Sequence, residues 1–458
     1  MSLAHAVANV CVRQETCLTG NVDLFGDAFG RSPVARYDAS ARTCLEAMSG
    51  NKRQPRRKTI SMLDSFKQAV AFAPQGGTVG NLSLGRGTVE GRPTFVAIVE
   101  NRIASGAIGK AECDKLKSLF IVVAAQRAAL VLFIDSAGAR VSEGLPALGA
   151  FRRMFAAALK ASAAGAQMSA VLGSNCYGGA SMLAALCGRR YFNANTRLAM
   201  SGPSILAAGA GASAIDDAFR AIAEVSIGTG GRIKLDGNVA FTGTLGFAPP
   251  ISAVDTHLSL GARLVEAKLF AKGASDSVQR RDFGLMYASG YQLAEQDGML
   301  LGTGTDAKGM AVVLGSIDRR QMSAARASQL TGRLQAMLAG ERPARLQLLF
   351  DCDAHSAALD DEKVMLSSYL ANLAQSLWLL REAGTRIETV VLSKLGGGIY
   401  VALAAASHEV NVIYGGEIQL LPSKAMAAIL GDSPASKVEF ADYVAAGVAE
   451  RELRIGMV

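Results

Sequence analysis

Two glycine turns in this 458-residue chain have the residue types that main-chain chemistry requires. Gly178 and Gly179 follow the apolar run MSAVLG and lead into Ala180, while Gly397 and Gly398 follow ETVVLS and lead into Ile399. A glycine turn that opens a helix leaves backbone N–H groups without intrahelical partners, and the helix dipole adds partial positive charge there. Such donors can hold an oxyanion, and the missing Cβ lets a ligand's carbonyl oxygen approach closely. A Gly-Gly pair also serves as an ordinary packing turn, so each pair alone is open to both readings.

Side chains near these turns offer fewer templates. The four histidines (His5, His257, His355, His408) have no metal-ligand spacing, and neither a G-x-S-x-G elbow nor a phosphate-binding G-x-x-x-x-G-K occurs. No metal is expected, and the chemistry must rest on main-chain donors. His355, in DCDAHSA, stands just after a predicted buried strand, where active-site loops of parallel sheets gather, although a capping or surface role fits it too. The loop SAGARVSEG places Ser136, Gly138 and Arg140 at another strand end. Arg140 can grip a carboxylate through its planar fork or pair internally with Glu143. Asp135 is expected to brace that loop. Tyr177, Tyr400, Ser136 and His355 are candidates to move a proton, and Lys115, Lys117, Arg152 and Arg153 are possible phosphate or carrier contacts.

The elements that must position these groups alternate. A helix is predicted from Lys110 to about Arg127, a buried strand at LVLFID (130–135), a helix at 146–164, then the strand MSAVLG and the first turn. Two short extended runs, YFNA and RLAMSG, follow the next helix. The order then returns: strand 309–316, helix 321–339, strand 345–351, one long helix over about 363–383, the strand ETVVLS and the second turn. Strands alternating with helices imply parallel crossover units and an α/β class.

The register supports a duplication. Arg92 and Lys308 are 216 residues apart, as are the strand-end carboxylates Asp135 and Asp351; Gly178 and Gly397 are 219 apart, as are Pro203 and Pro422. An offset drifting by so little across four landmarks points to one plan used twice. The expected divisions are an extension at 1–80, a first domain at 81–240, a linker and helical segment at 241–300, and a second domain at 301–458. The stretch GTGGRIKLDGNVAFTGTLGFAPP reads as a boundary or an active-site loop.

Composition narrows the class. Half the residues are hydrophobic and 49 are glycine, so most of the chain can bury a core. Apolar stretches are interrupted well before the roughly 20 residues that span a bilayer, and the first residues lack the pattern of a secretory signal, so a cytoplasmic protein with no membrane partner is expected. Seven scattered cysteines without a C-x-x-C pair read as free, mostly buried thiols. The net charge of +8 favours an acidic or phosphorylated partner. No nucleic-acid motif accompanies it.

LFIDSAGARVSEGLPAL, SNCYGGASMLAALCG and RLAMSGPSIL together resemble the β subunit of biotin-independent malonate decarboxylase and, more distantly, the carboxyltransferase parts of acyl-CoA carboxylases. LLFDCDAHSAALDDEKVMLSSYLANLAQSLWLLREAGTRIETVVLSKLGGGIYVALAAASHEVNVIYGGEIQLLPSKAMAAI is similar to the γ subunit of the same enzyme, so the chain looks like a β–γ fusion. The resemblance spans about residues 80–227 and 300–430. It implies two tandem crotonase-like (ClpP/crotonase) ββα-superhelix domains related by duplication. Gly178, Gly179 and Ala180 would hold the thioester carbonyl oxygen; Gly397, Gly398 and Ile399 would hold the departing carboxylate, or the carbonyl of biotin in the carboxyltransferase relatives. Ser136, Gly138, Arg140, Lys115 and the loop Ser201, Gly202, Pro203 would contact substrate. The resemblance further implies no bound cofactor, a substrate on the phosphopantetheine arm of an acyl carrier protein or on coenzyme A, and a homodimer or higher homo-oligomer. The second turn reads L-G-G-G-I where relatives often have S-G-G or Y-G-G, and the carboxylase zinc ribbon is absent.

Overall fold

The computed structural model describes residues 61–210, 217–249, 252–270, 276–277, 281–296, 298–421 and 438–455. All of them lie in one compact unit, Ile60–Val458. The basic run 52–58, Cys11, Cys17, Cys44, His5 and Pro422 lie outside the described residues.

The first sheet contains β1 (Ala73–Pro74), β2 (Leu82–Val89), β3 (Arg92–Val99), β4 (Leu130–Ser136), β5 (Met168–Tyr177), β6 (Arg189–Phe192), β7 (Arg197–Ala199) and β8 (Asn238–Ala240). Its order is β1-β2-β3-β4-β5-β6-β8, with β7 pairing the far end of β5. The first three strands are antiparallel and the rest parallel. The second sheet contains β9 (Asp276–Ser277), β10 (Tyr291–Gln296), β11 (Met299–Asp306), β12 (Gly309–Arg319), β13 (Arg345–Cys352), β14 (Arg386–Gly396), β15 (Glu409–Ile413), β16 (Glu417–Gln419) and β17 (Arg451–Leu453). Its order, β17-β15-β14-β13-β12-β11-β10-β9 with β16 on β14, repeats the first plan. The α/β class and the tandem duplication expected from the sequence are both present.

Helices α1 (Met62–Ala69), α2 (Lys110–Gln126), α3 (Leu145–Ala163), α4 (Gly179–Ala185), α5 (Pro203–Gly209), α6 (Asp217–Ile227) and α7 (Thr229–Arg232) belong to the first half, and α8 (Ala253–Glu266) follows it. The second half adds α9 (Arg281–Met286), α10 (Ala324–Ala339), α11 (Leu359–Lys363), α12 (Leu366–Glu382), α13 (Gly397–Ala406) and α14 (Phe440–Ala446). The central strands β4 and β13 are buried along nearly their whole length, as continuous apolar runs between helices should be. Helices of the two halves pack on one another: α3 meets α12, α13 and α14, and α4 meets α12. One core therefore runs through both halves, from Leu116 and Phe155 to Leu373 and Leu377. The opposite faces of the sheets carry separate small cores, one under Phe66 and one under Phe283 and Tyr287.

One expectation is sharpened and one changes. The long helix expected over about 363–383 is α12, and a left-handed Met365 (φ 66°) sets its start and separates it from the short α11. The Glu362 carbonyl receives the Met365 N–H at 2.8 Å and Arg232 Nη1 at 2.5 Å, which replaces a continuing helical ladder. The glycine-rich stretch at 228–250 is no mere boundary: it forms α7 and then β8, which lies parallel to β6 at the sheet edge. The four described cysteines, Cys113, Cys176, Cys187 and Cys352, are free and buried. Among the described residues, no helix is long and apolar enough to cross a membrane, and no group of three or more His, Cys, Asp or Glu side chains could hold a metal.

Candidate active site

The first glycine turn joins β5 to α4. Gly178 sits at φ 56°, a conformation suited to glycine, and its N–H points at the carbonyls of Ala199 (3.2 Å) and Met200 (3.1 Å), which fastens the turn to β7. Gly179 and Ala180 are the first two residues of α4, and their N–H groups have no hydrogen-bond partner among the described residues. Tyr177, Gly178 and Gly179 are partly exposed. The loop after β4 lies directly against this turn: a Cβ on Gly138 would fall 2.9 Å from the Tyr177 carbonyl and 3.4 Å from Gly178 Cα. Ile108 donates to the Gly138 carbonyl and accepts from the Arg140 N–H, so the intervening Ala139 N–H takes no part in this bridge and has no partner among the described residues. Ala139 was not foreseen from sequence; its small side chain is the sole signal it offers.

The neighbouring side chains mostly brace the loops. Asp135 accepts from the N–H groups of Ser174 and Asn175, each at 3.1 Å, and Asp351 repeats this by accepting from the Lys394 N–H. Buried Ser136 accepts from the Gly138 N–H through Oγ at 3.1 Å. Arg140 pairs with Glu143 at 2.7 Å and with the fully buried Glu112, and it donates to the Ala107 carbonyl. The internal ion pair is thus the reading its geometry favours over a free carboxylate fork. Lys115 is exposed on α2 beside a recess of about 50 Å³ lined by Gln75 and Leu84, and no residue of either turn lines that recess.

Arg152 corrects an expectation. Far from being a carrier contact, it is buried, donating from Nε to the Ala404 carbonyl at 3.0 Å and pairing with Glu450 at 2.8 Å, and so ties α3 to the second half. Its neighbour Arg153 donates to the Ala446 carbonyl.

The loop Ser201, Gly202, Pro203 is held from the second half. Glu362, fully buried on α11, accepts from the Ser201 N–H at 2.9 Å and from the Met200 N–H. Arg232, equally buried, lies 3.3 Å from the same carboxylate and donates to the Leu198 carbonyl at 2.8 Å. Burial pushes the Glu362 carboxyl up to about 7, against the pull of Arg232 and the two N–H donors. Sequence reading missed both residues because their meeting depends on segments 130 positions apart. Ser201 Oγ is buried without a partner among the described residues, leaving a polar atom on the loop that abuts the first turn. Gly202 precedes α5 and faces the Tyr177 ring, and Pro203 opens that helix. Burial raises the Tyr177 hydroxyl above the usual phenol range, with Arg197 pulling the other way. Tyr400 is fully buried and donates to the Val448 carbonyl at 2.8 Å.

The second turn is closed. Gly397 has φ 61°, and the Gly398 N–H donates to His355 Nδ1 at 3.0 Å. Gly396 through Tyr400 are all buried, and a Cβ on Gly398 would fall 2.4 Å from the Met200 methyl. Burial pushes the His355 imidazole down to about 4, so it is neutral near pH 7 and, with Nδ1 accepting, carries its proton on Nε2. The Met322–His355 bridge repeats the Ile108–Ala139 bridge, which puts His355 where the first half has Ala139. His355 at this position takes the Gly398 N–H of the second turn, while Ala139 leaves the Gly179 N–H of the first turn without a partner among the described residues. Met200 lies between the turns, its carbonyl on Gly178 and its methyl on Gly398.

The segment carrying the open turn matches a known class: residues 65–230 fit the family model described as the Carboxyl transferase domain. Among curated proteins, the chain is 27% identical over 170 residues to the methylmalonyl-CoA carboxyltransferase 12S subunit of Propionibacterium freudenreichii subsp. shermanii, covering 34% of this chain and 32% of that one. It is 31% identical over 123 residues to the carboxyltransferase subunit of propionyl-CoA carboxylase from Haloferax mediterranei, covering 27% of this chain and 24% of that one. The matches thus span about a quarter to a third of the length of these relatives. Among solved structures, the transcarboxylase 12S hexamer with methylmalonyl-coenzyme A bound is similar at 16% identity and a TM-score of 0.34, with 86% of each chain covered. The Pseudomonas malonate decarboxylase MdcD-MdcE hetero-dimer is similar at 21% identity and a TM-score of 0.33, with 40% of this chain and 79% of that one covered. Likeness at these values says nothing about substrate or assembly.

Proposed function

We propose that the first glycine turn stabilises an enolate formed from an acyl thioester, and that the reaction is decarboxylation of a malonyl thioester without biotin. The bond from Cα to the carboxylate carbon breaks, carbon dioxide leaves, and the electron pair moves into an enolate whose charge rests on the former thioester carbonyl oxygen. A proton then adds at Cα to give the acetyl thioester. The observation that carries this reading is the pair of unpartnered N–H groups of Gly179 and Ala180 at a partly open turn, with the Ala139 N–H on the loop packed against it. Donors aimed at the oxygen where charge develops stabilise the transition state more than the ground state, each by about 3 kcal/mol. Water or the Tyr177 hydroxyl would return the proton; His355, held on Gly398, and Tyr400, held on Val448, are committed elsewhere.

A second reading, carboxyl transfer between an acyl thioester and biotin, is favoured by the names of the matched curated relatives. Both readings draw on the second turn, for the departing carboxylate or for the carbonyl of biotin, and one of its N–H groups, that of Gly398, is occupied by His355. The phosphopantetheine arm of an acyl carrier protein or coenzyme A would present the acyl group, in keeping with the +8 charge, and a homo-oligomer remains part of the proposal.

The test incubates the full chain with malonyl-coenzyme A and with a malonyl-loaded carrier protein, with and without avidin, and follows the acetyl thioester by mass spectrometry. Acetyl product that forms equally in both arms supports decarboxylation. Product that requires added biotin, or is abolished by avidin, establishes the second reading instead.

A further inference from the structure

We infer that Glu362, contributed by the second half, is a positioning residue for the first glycine turn: its carboxylate fixes the peptide on which Gly178 is seated and so sets the direction of the Gly179 and Ala180 N–H groups. This role rests on the reading that those N–H groups hold the thioester oxygen, and it adds the residue that aims them. Gly178 presents its N–H to the carbonyls of Ala199, at 3.2 Å, and Met200, at 3.1 Å. Ala199 is the last β7 residue in register with β5, opposite Tyr177, so the sheet fixes its carbonyl. Met200 lies beyond that ladder, and something else must hold it.

The Glu362–Arg232 pair does so. Glu362 accepts from the Ser201 N–H at 2.9 Å and from the Met200 N–H, and Arg232 donates from Nε to the Leu198 carbonyl at 2.8 Å. Backbone groups on both sides of the Gly178 contact are thus gripped by one pair of side chains. No other acceptor for the Met200 and Ser201 N–H groups occurs among the described residues. Both side chains are fully buried, and a buried ion pair is a poor route to stability alone, since apolar residues of similar volume often serve as well. What apolar residues cannot do is accept the two N–H groups. Arg232, 3.3 Å from the carboxylate, balances its charge, so the pair sets little net negative field against an enolate at the turn.

The helix that carries Glu362 is itself fixed on the unit it holds. Leu359 of α11 packs on the small core of Ala199, Leu206 and Ile227. A Cβ on Gly209, the last residue of α5, would fall 2.9 Å from the carbonyl of Ala357, just before α11. Contacts from 357 to 362 therefore reach the loop and α5 from Met200 to Gly209. A shift of Glu362 would pass to the Met200 peptide and from its carbonyl to Gly178, the residue before the first free donor. A misplacement of about 1 Å that starts away from the chemistry can cost about 100-fold in rate, so loss of the carboxylate should appear in kcat rather than in affinity for the arm that carries the acyl group.

Stability and positioning come apart in the double variant Arg232→Met, Glu362→Leu, which replaces the pair by apolar groups and leaves the Met200 and Ser201 N–H groups without an acceptor. Two readouts are taken on the full chain above pH 7, where Glu362 is ionised: kinetics with malonyl-coenzyme A, and hydrogen exchange of the Gly178 amide, with the Gly398 amide, held by His355, as internal reference. The double variant is expected to melt near the wild type and to lose about 100-fold in kcat with KM within a few-fold. Its Gly178 amide should exchange at least about tenfold faster relative to Gly398. Glu362→Gln, which keeps one acceptor oxygen, should fall between the two and carries the comparison if the double variant does not fold. A folded variant with wild-type kcat, a loss confined to KM, or unchanged Gly178 exchange would overturn the inference. A wild-type chain that releases no acetyl product, while Gly178 exchange still rises in the variant, keeps Glu362 as the residue that seats the turn and overturns the decarboxylase reading instead.

Discussion

Ala180 and His355 carry the two most informative residue-scale tests. Ala180 is the second residue of α4, so its N–H is one of those left free at a helix start. Proline there deletes that donor and leaves the later helical bonds in place. Ala180→Pro is expected to lower kcat for malonyl-thioester decarboxylation by about 100- to 1000-fold, the usual cost of one oxyanion donor, with little change in far-ultraviolet circular dichroism. Gly179 is a poorer choice, since a Cβ there would lie 2.3 Å from the Phe151 ring and would confound folding with catalysis. His355 is expected to act on stability rather than turnover. Its pKa falls from 6.5 in the unfolded chain to about 4 when folded, so its contribution is complete above pH 6.5 and is lost as pH falls towards 4. The loss amounts to about 3 kcal/mol. Asparagine can accept from the Gly398 N–H without titrating; urea melts of His355→Asn across pH 4–7 should therefore show a flatter acid limb than wild type, and turnover should stay within a few-fold.

At the scale of elements, the contact that matters most is the one between α11 and the β7–α5 loop. The Glu362 carboxylate holds the Met200 and Ser201 N–H groups, and the Met200 carbonyl in turn receives the Gly178 N–H. A buried ion pair is weak evidence of net stability, but stripping one partner is costly because the other charge stays buried alone. Glu362→Ala should destabilise the chain by about 3–5 kcal/mol in urea melts, and Arg232→Met should do likewise. The double variant Arg232→Met, Glu362→Leu should recover most of that loss. Because burial raises the Glu362 pKa from 4.5 to about 7, its stabilising term is greatest below pH 4.5 and is lost as pH rises through 7. Glu362→Gln should remove that slope. Equal stability of the Glu362→Ala and wild-type proteins would show that the carboxylate does not hold the loop.

At the scale of the whole molecule, the inner helices of both halves share one core. A half expressed alone would expose the apolar faces of α3 and α4, or of α12 and α13, to water. Residues 61–249 and 252–458 produced separately are expected to aggregate or to unfold without a cooperative transition, and to give a soluble complex when produced together. Cooperative melting of either half alone would mean that the shared core is dispensable. Arg152, reaching from α3 to Ala404 and Glu450, is one polar tie across this junction.

The sequence alone determined the strand and helix order, the α/β class and the duplication, because these depend on local periodicity and on landmarks whose spacing is countable along the chain. Asp135 and Asp351 prove to make the same brace, and the turns Gly178 and Gly397 both take positive φ at the start of a helix. Periodicity found the helix of about 363–383 as α12 but not its start at Met365, because the Glu362 carbonyl is claimed there by Arg232 from the other half. Nor could spacing tell the two turns apart. Their glycines match in register, and only the folded chain decides whose N–H groups stay free: His355, 43 positions before Gly398, caps the second turn, while Ala139 at the repeated position cannot reach the first. A free backbone donor is defined by what stands in front of it, and that is a property of three-dimensional packing rather than of sequence order.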